Sequence, residues 1–150
     1  MIENRNEIVI NASPEQVWQV LTDLERYSEW NLLLYCASGK FELGETALMD
    51  AKTSTKDMNF VCKVTKVEQF KEFTWKFHVI HPILFRGVHA FQIKPIEHAS
   101  VKCIDTETFW GLLLPTQAKN LTTNGLTAMI EMGSALKHRV ENLTYLVHCT

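Results

Sequence analysis

Long apolar runs are missing from this 150-residue chain. Runs such as Leu32–Tyr35 and Leu112–Leu114 fall far short of the roughly 20 residues that a membrane helix needs. The amino end, MIENRNEIVI, has no basic segment followed by an apolar core, so no secretory signal is expected and the location expected is cytoplasmic. An excess of positive charge is also missing. Lys+Arg number 15 against 17 Asp+Glu, a net charge of −2, which argues against a nucleic-acid binder held by phosphate contacts. The four cysteines (Cys36, Cys62, Cys103 and Cys149) form no CxxC pair, so neither a disulfide framework nor a zinc site is expected, and buried thiols are the default. There is no GxSxG, GxGxxG or Walker loop. His78 and His81 are three apart, but Pro82 and a strand-like setting speak against a metal pair. Neither a metal nor a cofactor is called for.

Apolar residues make up 46% of the chain, enough for a core, and no repeat, low-complexity stretch or linker divides it, so residues 1–150 are read as one domain. A short strand at Glu7–Ile10 precedes Ser13-Pro14-Glu15-Gln16, a capping box with proline at the first helical position. Val17, Trp18, Leu21 and Leu24 then follow at helical spacing, predicting a helix to about Thr22 with a further short turn near Tyr27 and Trp30. From Tyr35 to Trp110 the period becomes two. Strands are predicted at Lys40–Leu43, Thr46–Lys52, Asn59–Val67, Phe73–Ile80, Gly87–Lys94 and Val101–Trp110, with a polar loop at Thr53–Asp57. After Pro115, Leu121, Ala128, Met132, Ala135, Leu136, Val140 and Leu143 share one helical face. Thr122–Gly125 interrupts that helix, since glycine alone costs about 1 kcal/mol relative to alanine, and a kink or fraying is expected there. The order predicts an α+β fold: a curved antiparallel sheet of six to seven strands, two short helices after the first strand, and a long last helix covering the concave face.

Several segments carry a resemblance. Ile8–Ile10 with Ala12-Ser13-Pro14-Glu15-Gln16-Val17-Trp18, then Tyr27-Ser28-Glu29-Trp30-Asn31, are similar to the first strand and short helices of the SRPBCC superfamily. This is the helix-grip group that includes START domains and polyketide cyclases. Gly87-Val88-His89-Ala90-Phe91, Glu107-Thr108-Phe109-Trp110-Gly111-Leu112-Leu113-Leu114-Pro115 and Ala135-Leu136-Lys137-His138-Arg139 resemble small bacterial members of that group. Leu32 stands where the pattern has proline after Trp-Asn. The resemblance implies a helix-grip fold with a hydrophobic cavity between sheet and last helix. It does not imply one activity, because the fold hosts binders, transporters and enzymes.

His89 shares strand parity with Phe91 and Ile93, and an imidazole among aromatics suits hydrogen bonding to a ligand or acid–base work; a structural hydrogen bond in the core is the plainer use. Glu107 and Asp105 share parity with Phe109, and an antiparallel neighbour would bring Glu107 to His89. Both parities of that strand carry apolar and polar residues, so the orientation stays open, leaning to solvent for Asp105 and even for Glu107. Phe60, Trp75, Phe77, Phe91 and Phe109 are pocket walls or plain core. Met129 and Met132 suit an adaptable lining, and Trp30 a cavity mouth or a hinge. The leading expectation is a protein, monomer or homodimer, that binds a small hydrophobic molecule such as a lipid, an aromatic or a polyketide-like compound. The alternative is a cyclase/aromatase-like enzyme using His89 and Glu107 as acid–base groups, and an accessory interaction protein comes third.

Overall fold

A computed structural model describes residues 1–52 and 57–148, with 35–37 and 144–148 described by backbone alone. Helix α1 (Pro14–Thr22) starts at Ser13, whose hydroxyl accepts from the Gln16 N–H at 3.4 Å while the Gln16 side chain accepts from the Ser13 N–H at 2.9 Å. Pro14 sacrifices no donor at this position. Val17, Trp18, Val20 and Leu21 are buried, and the chain passes into a 3₁₀ turn, Leu24–Glu29. Tyr27 is buried there and donates its hydroxyl to the Leu21 carbonyl at 2.6 Å, which ties the turn back onto the helix.

Seven strands form one antiparallel sheet: β1 (Ile2–Ile10), β2 (Leu34–Gly39), β3 (Thr46–Lys52), β4 (Asp57–Glu68), β5 (Glu72–His78), β6 (Arg86–Ile96) and β7 (Ser100–Trp110). The order is β1-β7-β6-β5-β4-β3-β2, a meander from β2 to β7 with β1 added beside β7. Helix α2 (Leu114–Asn120), a π turn at Leu121–Gly125 and helix α3 (Leu126–His148) then return the chain, and this is the helix-grip arrangement. Met129, Met132, Leu136 and Val140 form the buried face of α3, whereas Leu143 is 38% exposed and lies off it. The helix is fastened to the first strand where Lys137 Nζ donates to the Val9 carbonyl at 2.7 Å and Glu141 accepts from the Asn11 N–H at 2.9 Å.

The differences from the sequence-based expectation have local causes. Strand β1 begins at Ile2, five residues early, because pairing with β7 overrides the poor strand propensity of Asn4 and Asn6. The expected strand at Lys40–Leu43 is a loop instead; β2 ends at Gly39, and Phe41 turns inward. A bulge between Val64 and Lys66 adds one residue to β4 and turns Val67 onto the core side opposite Phe73. Pro95 does not end β6, since it stands next to the hairpin turn, where Ile96 faces Ser100. The weak stretch before α3 is a π turn, so the helix widens rather than frays. Of the expected loop at Thr53–Asp57, residues 53–56 lie outside the described residues, and so does Cys149.

Cys62 and Cys103 are free and buried, and burial pushes their thiols up to about 11 and about 12, so they pack as small apolar groups. At one end of the sheet the loops after β5 and after β7 are stitched together, with Leu112 N–H donating to the Ile83 carbonyl and Leu113 N–H to the Leu84 carbonyl, both at 3.0 Å. Gly111 (φ +133°) makes this possible, because a Cβ there would lie 2.2 Å from the Leu84 carbonyl oxygen. Removing the helix cap is expected to be felt by the whole fold: Ser13→Ala should lower the free energy of urea unfolding by about 1 kcal/mol, and Ser13→Gly by only a few tenths.

Candidate functional site

The sheet register builds a tile of aromatic and charged side chains on the concave face. Trp75 of β5 stands opposite His89 of β6, and Phe73 opposite Phe91. On the other side of β6, His89 stands opposite Glu107 of β7 and Phe91 opposite Asp105. The imidazole ring lies 4.6 Å from Trp75 and 4.5 Å from Phe91, centroid to centroid, and only 2% of His89 is exposed. Its Nε2 lies 2.5 Å from Asp105 Oδ1 and its Nδ1 3.3 Å from Glu107 Oε1. Both ring nitrogens therefore face carboxylates, an arrangement suited to an imidazolium that donates from each side.

Asp105 is 5% exposed and turned inward, against the lean to solvent in the sequence reading. Ile104 is buried as well, so both faces of β7 are covered and the two-residue alternation carries no signal there. Asp105 Oδ2 has no hydrogen-bond partner among the described residues. Beyond β7, Asn4 stands opposite Glu107 and Asn6 opposite Asp105. Asn4 is buried and donates to the Leu121 carbonyl at 2.9 Å, which pins the π turn beside the carboxylates.

Burial opposes charge on His89, but the Asp105 and Glu107 carboxylates and the hydrogen bond to Asp105 outweigh it and hold the imidazole above its ordinary value of 6.5. Burial raises Glu107 above its ordinary 4.5, His89 pulls it down and Asp105 pushes it up, and the balance lies upward. Titratable groups displaced by burial and by specific charge partners occur at functional sites and in structural ion-pair networks alike, which makes this cluster a candidate site.

The other candidate residues are distributed more widely. Phe60 is half-buried against Phe77, at 5.0 Å, and Phe77 meets Phe109 edge to face at 6.3 Å, further along the same face. Met129 and Met132 are buried on α3. Trp30 is buried against Tyr27 and borders a groove of about 230 Å³ with Val20, Arg26 and Arg139, apart from His89. A second groove, about 330 Å³, lies between Trp18, Leu24, Lys40 and Phe41. Neither reaches His89, and the hollow expected beside it is filled among the described residues, with Phe73, Trp75 and Phe91 each 3% exposed or less. Much of that filling is Phe41, which the sequence pattern assigns to a strand: its ring stacks on both Phe73, at 4.9 Å, and Trp75, at 5.1 Å. No periodicity could have marked it, because a single aromatic in a short loop has no neighbours in phase with it.

Residues 1–131 match the model of the polyketide cyclase / dehydrase and lipid transport family. The chain belongs to this family. Solved structures share its fold at low identity. The Zhui aromatase/cyclase from Streptomyces sp. R1128 is 12% identical with a TM-score of 0.77, covering 93% of each chain. A START superfamily protein from Mycobacterium smegmatis is 18% identical with a TM-score of 0.72, covering 94% of this chain and 98% of its own. A protein from Thermus thermophilus is 16% identical with a TM-score of 0.76, covering 95% of this chain and 99% of its own. No curated protein sequence matches the chain. Among the described residues, no helix of this family member is long and apolar enough to cross a membrane.

The upward shifts of His89 and Glu107 make stability depend on pH. A group that binds its proton more tightly in the fold stabilises it below the unfolded-state value and loses that contribution as pH rises through the folded-state value. Urea midpoints should therefore fall with rising pH, beginning above 4.5 for Glu107 and above 6.5 for His89. Glu107→Gln should flatten the lower part of the fall and, because it removes one of the two carboxylates that hold the His89 proton, shrink the upper part as well. Asp105→Asn should lower the His89 titration midpoint read from its imidazole NMR signals, and an unmoved midpoint would contradict the pairing of this carboxylate with the ring.

Proposed function

We propose that this protein binds a small, mainly apolar molecule against the aromatic tile, with its polar end met by the Glu107–His89–Asp105 cluster. The observation that carries this reading is a fully enclosed imidazole flanked by two carboxylates on a floor of aromatic rings. Burying three ionisable groups costs several kcal/mol unless all their hydrogen bonds are made, and Asp105 Oδ2 stays unmatched among the described residues. A hydroxyl or protonated group on a ligand would supply the missing donor. The apolar remainder of the ligand would gain about 25 cal/mol for each Å² removed from water. Membership of a family of polyketide cyclases, dehydrases and lipid transporters is consistent with cargo of this kind.

A second reading, an acid–base enzyme of the aromatase/cyclase kind, is favoured by one feature. Glu107 is the outer member of the cluster, its side chain 14% exposed against 3% for His89 and 7% for Asp105. It would exchange a proton with the substrate while His89 shares the charge with Asp105, a division of labour suited to enolisation beside a carbonyl. The aromatase/cyclase among the structural neighbours, 12% identical, attests the fold only.

Titration with the neutral fluorophore N-phenyl-1-naphthylamine tests the first reading. Saturable enhancement at one site per chain is expected, weakened by Glu107→Gln; no saturable enhancement defeats it. The second is tested by deuterium exchange at the α carbon of 2-tetralone in D₂O, followed by proton NMR. An enzyme should accelerate exchange and lose about 100-fold in His89→Gln, whereas a binder should leave the rate at background.

A further inference from the structure

We propose that the slot held by Phe41 is the seat for a planar aromatic group of the ligand, and that Phe41 is an internal occupant which the ligand displaces. This rests on the ligand-binding reading above and adds the class of molecule and its way in.

Phe41 is out of character with its surroundings. It belongs to the loop between β2 and β3, where Lys40, Glu42, Leu43, Gly44 and Glu45 are all exposed, yet only 8% of it is. Its ring lies nearly parallel to Trp75, at 14°, and within 29° of Phe73, while those two are themselves at 17°. Three rings thus form a shallow stack in which the outer one is supplied by a loop and the other two by the rigid middle of the sheet. Such a seat accepts any flat ring, because stacking depends on the plane rather than on the covalent origin of the ring. An aliphatic chain would forfeit that stacking.

The loop is built to release what it holds. Gly39 (φ +115°) and Gly44 (φ +86°) stand at its two ends, in backbone conformations that glycine adopts without penalty. The far end is anchored, with Gly44 N–H donating to the Val64 carbonyl at 3.0 Å and Val64 N–H to the Glu45 carbonyl at 2.9 Å. The near end leaves β2, the edge strand of the sheet. Movement of residues 40–43 therefore swings Phe41 outward without breaking the pairing of β3 with β4. The groove of about 330 Å³ lies at this point, bordered by Trp18, Leu24, Gly39, Lys40 and Phe41 itself, and opens the path to the slot.

The slot also leads to the polar cluster. Trp75, the ring beneath Phe41, is the cross-strand partner of His89. A single phenyl ring reproduces only what Phe41 already covers. A fused two-ring or larger plane covers more of Trp75 and extends toward His89, where a phenolic or carbonyl oxygen on its edge meets the cluster. What displaces Phe41 is thus a plane larger than a single phenyl ring. Phe41 competes with it, and lowers its apparent affinity in proportion to the time the loop spends closed.

The test compares 2-naphthol with decanoic acid on wild-type protein and Phe41→Ala, by isothermal titration. Removal of the internal competitor should tighten 2-naphthol by about five-fold or more and leave decanoic acid weak in both. If wild type binds 2-naphthol and Phe41→Ala binds it no better, Phe41 is a fixed wall and the displacement proposal falls while the ligand-binding reading stands. If neither protein binds either compound, both fall. Because Phe41→Ala opens a core position, a second measurement uses the intact chain with 4-fluorophenylalanine at position 41. Saturating 2-naphthol should move its fluorine resonance to a solvent-exposed position, and an unmoved resonance on binding overturns the proposal.

Discussion

An imidazole held between two carboxylates, in the middle of an aromatic floor, is the constraint around which the rest of this protein is arranged. Charge so far from water is tolerable only when its partners are fixed in place, and here the ladder does the fixing: His89 and Glu107 are opposite residues in the β6–β7 register, with Asp105 one step along the same face. A slip of one residue in that pairing would turn both carboxylates to the far side of the sheet and leave the ring unmatched. Register fidelity in this half of the molecule therefore matters more than it would for an ordinary apolar sheet. The long pairing of β1 with β7 and the buried Asn4 that ties β1 to the π turn both reinforce it.

Packing around this cluster explains why, among the described residues, no hollow stands beside His89. The apolar floor of Phe73, Trp75 and Phe91 belongs to one core cluster with Met132, Leu136 and Val140 of α3 and is edged by Trp18 from α1, which meets Phe73 edge to face at 5.6 Å. The remaining space is filled by one loop side chain rather than by the sheet. Undoing closure of that kind breaks no hydrogen bond of the ladder, and its cost is the burial of one phenyl ring, about 1.5–3 kcal/mol. A tightly packed interior and a ligand-binding role are compatible when the last piece of the core is carried by a loop rather than by the ladder.

Much of the architecture was legible in the sequence, since it depends on local chemistry: the capping box before α1, the turn at Tyr27, the two-residue alternation of β5 and β6, and the weak stretch before α3. The inward parity of His89 with Phe91 was legible for the same reason. What escaped the sequence depends on contacts between distant segments. Strand β1 is extended by its partner rather than by its own residues, and the bulge at Val64/Lys66 changes the phase of β4 without a glycine to announce it. The orientation of Asp105 was hidden because β7 is covered on both faces, which erases the periodic signal on which orientation rests. Phe41 reads as part of a strand because nothing local distinguishes an aromatic that packs beneath a sheet from one that turns in from a loop.

The pair of backbone bonds joining the loops after β5 and β7, with Gly111 pressed against the Leu84 carbonyl, carries a consequence of another sort. These loops share a seam, so a residue gained or lost within Ile83–Leu84 or Leu112–Leu113 would shift the donors of one past the acceptors of the other. A residue added between the paired positions would break the match, whereas the turn between β6 and β7 at the opposite end is free of the seam and of its constraint on length.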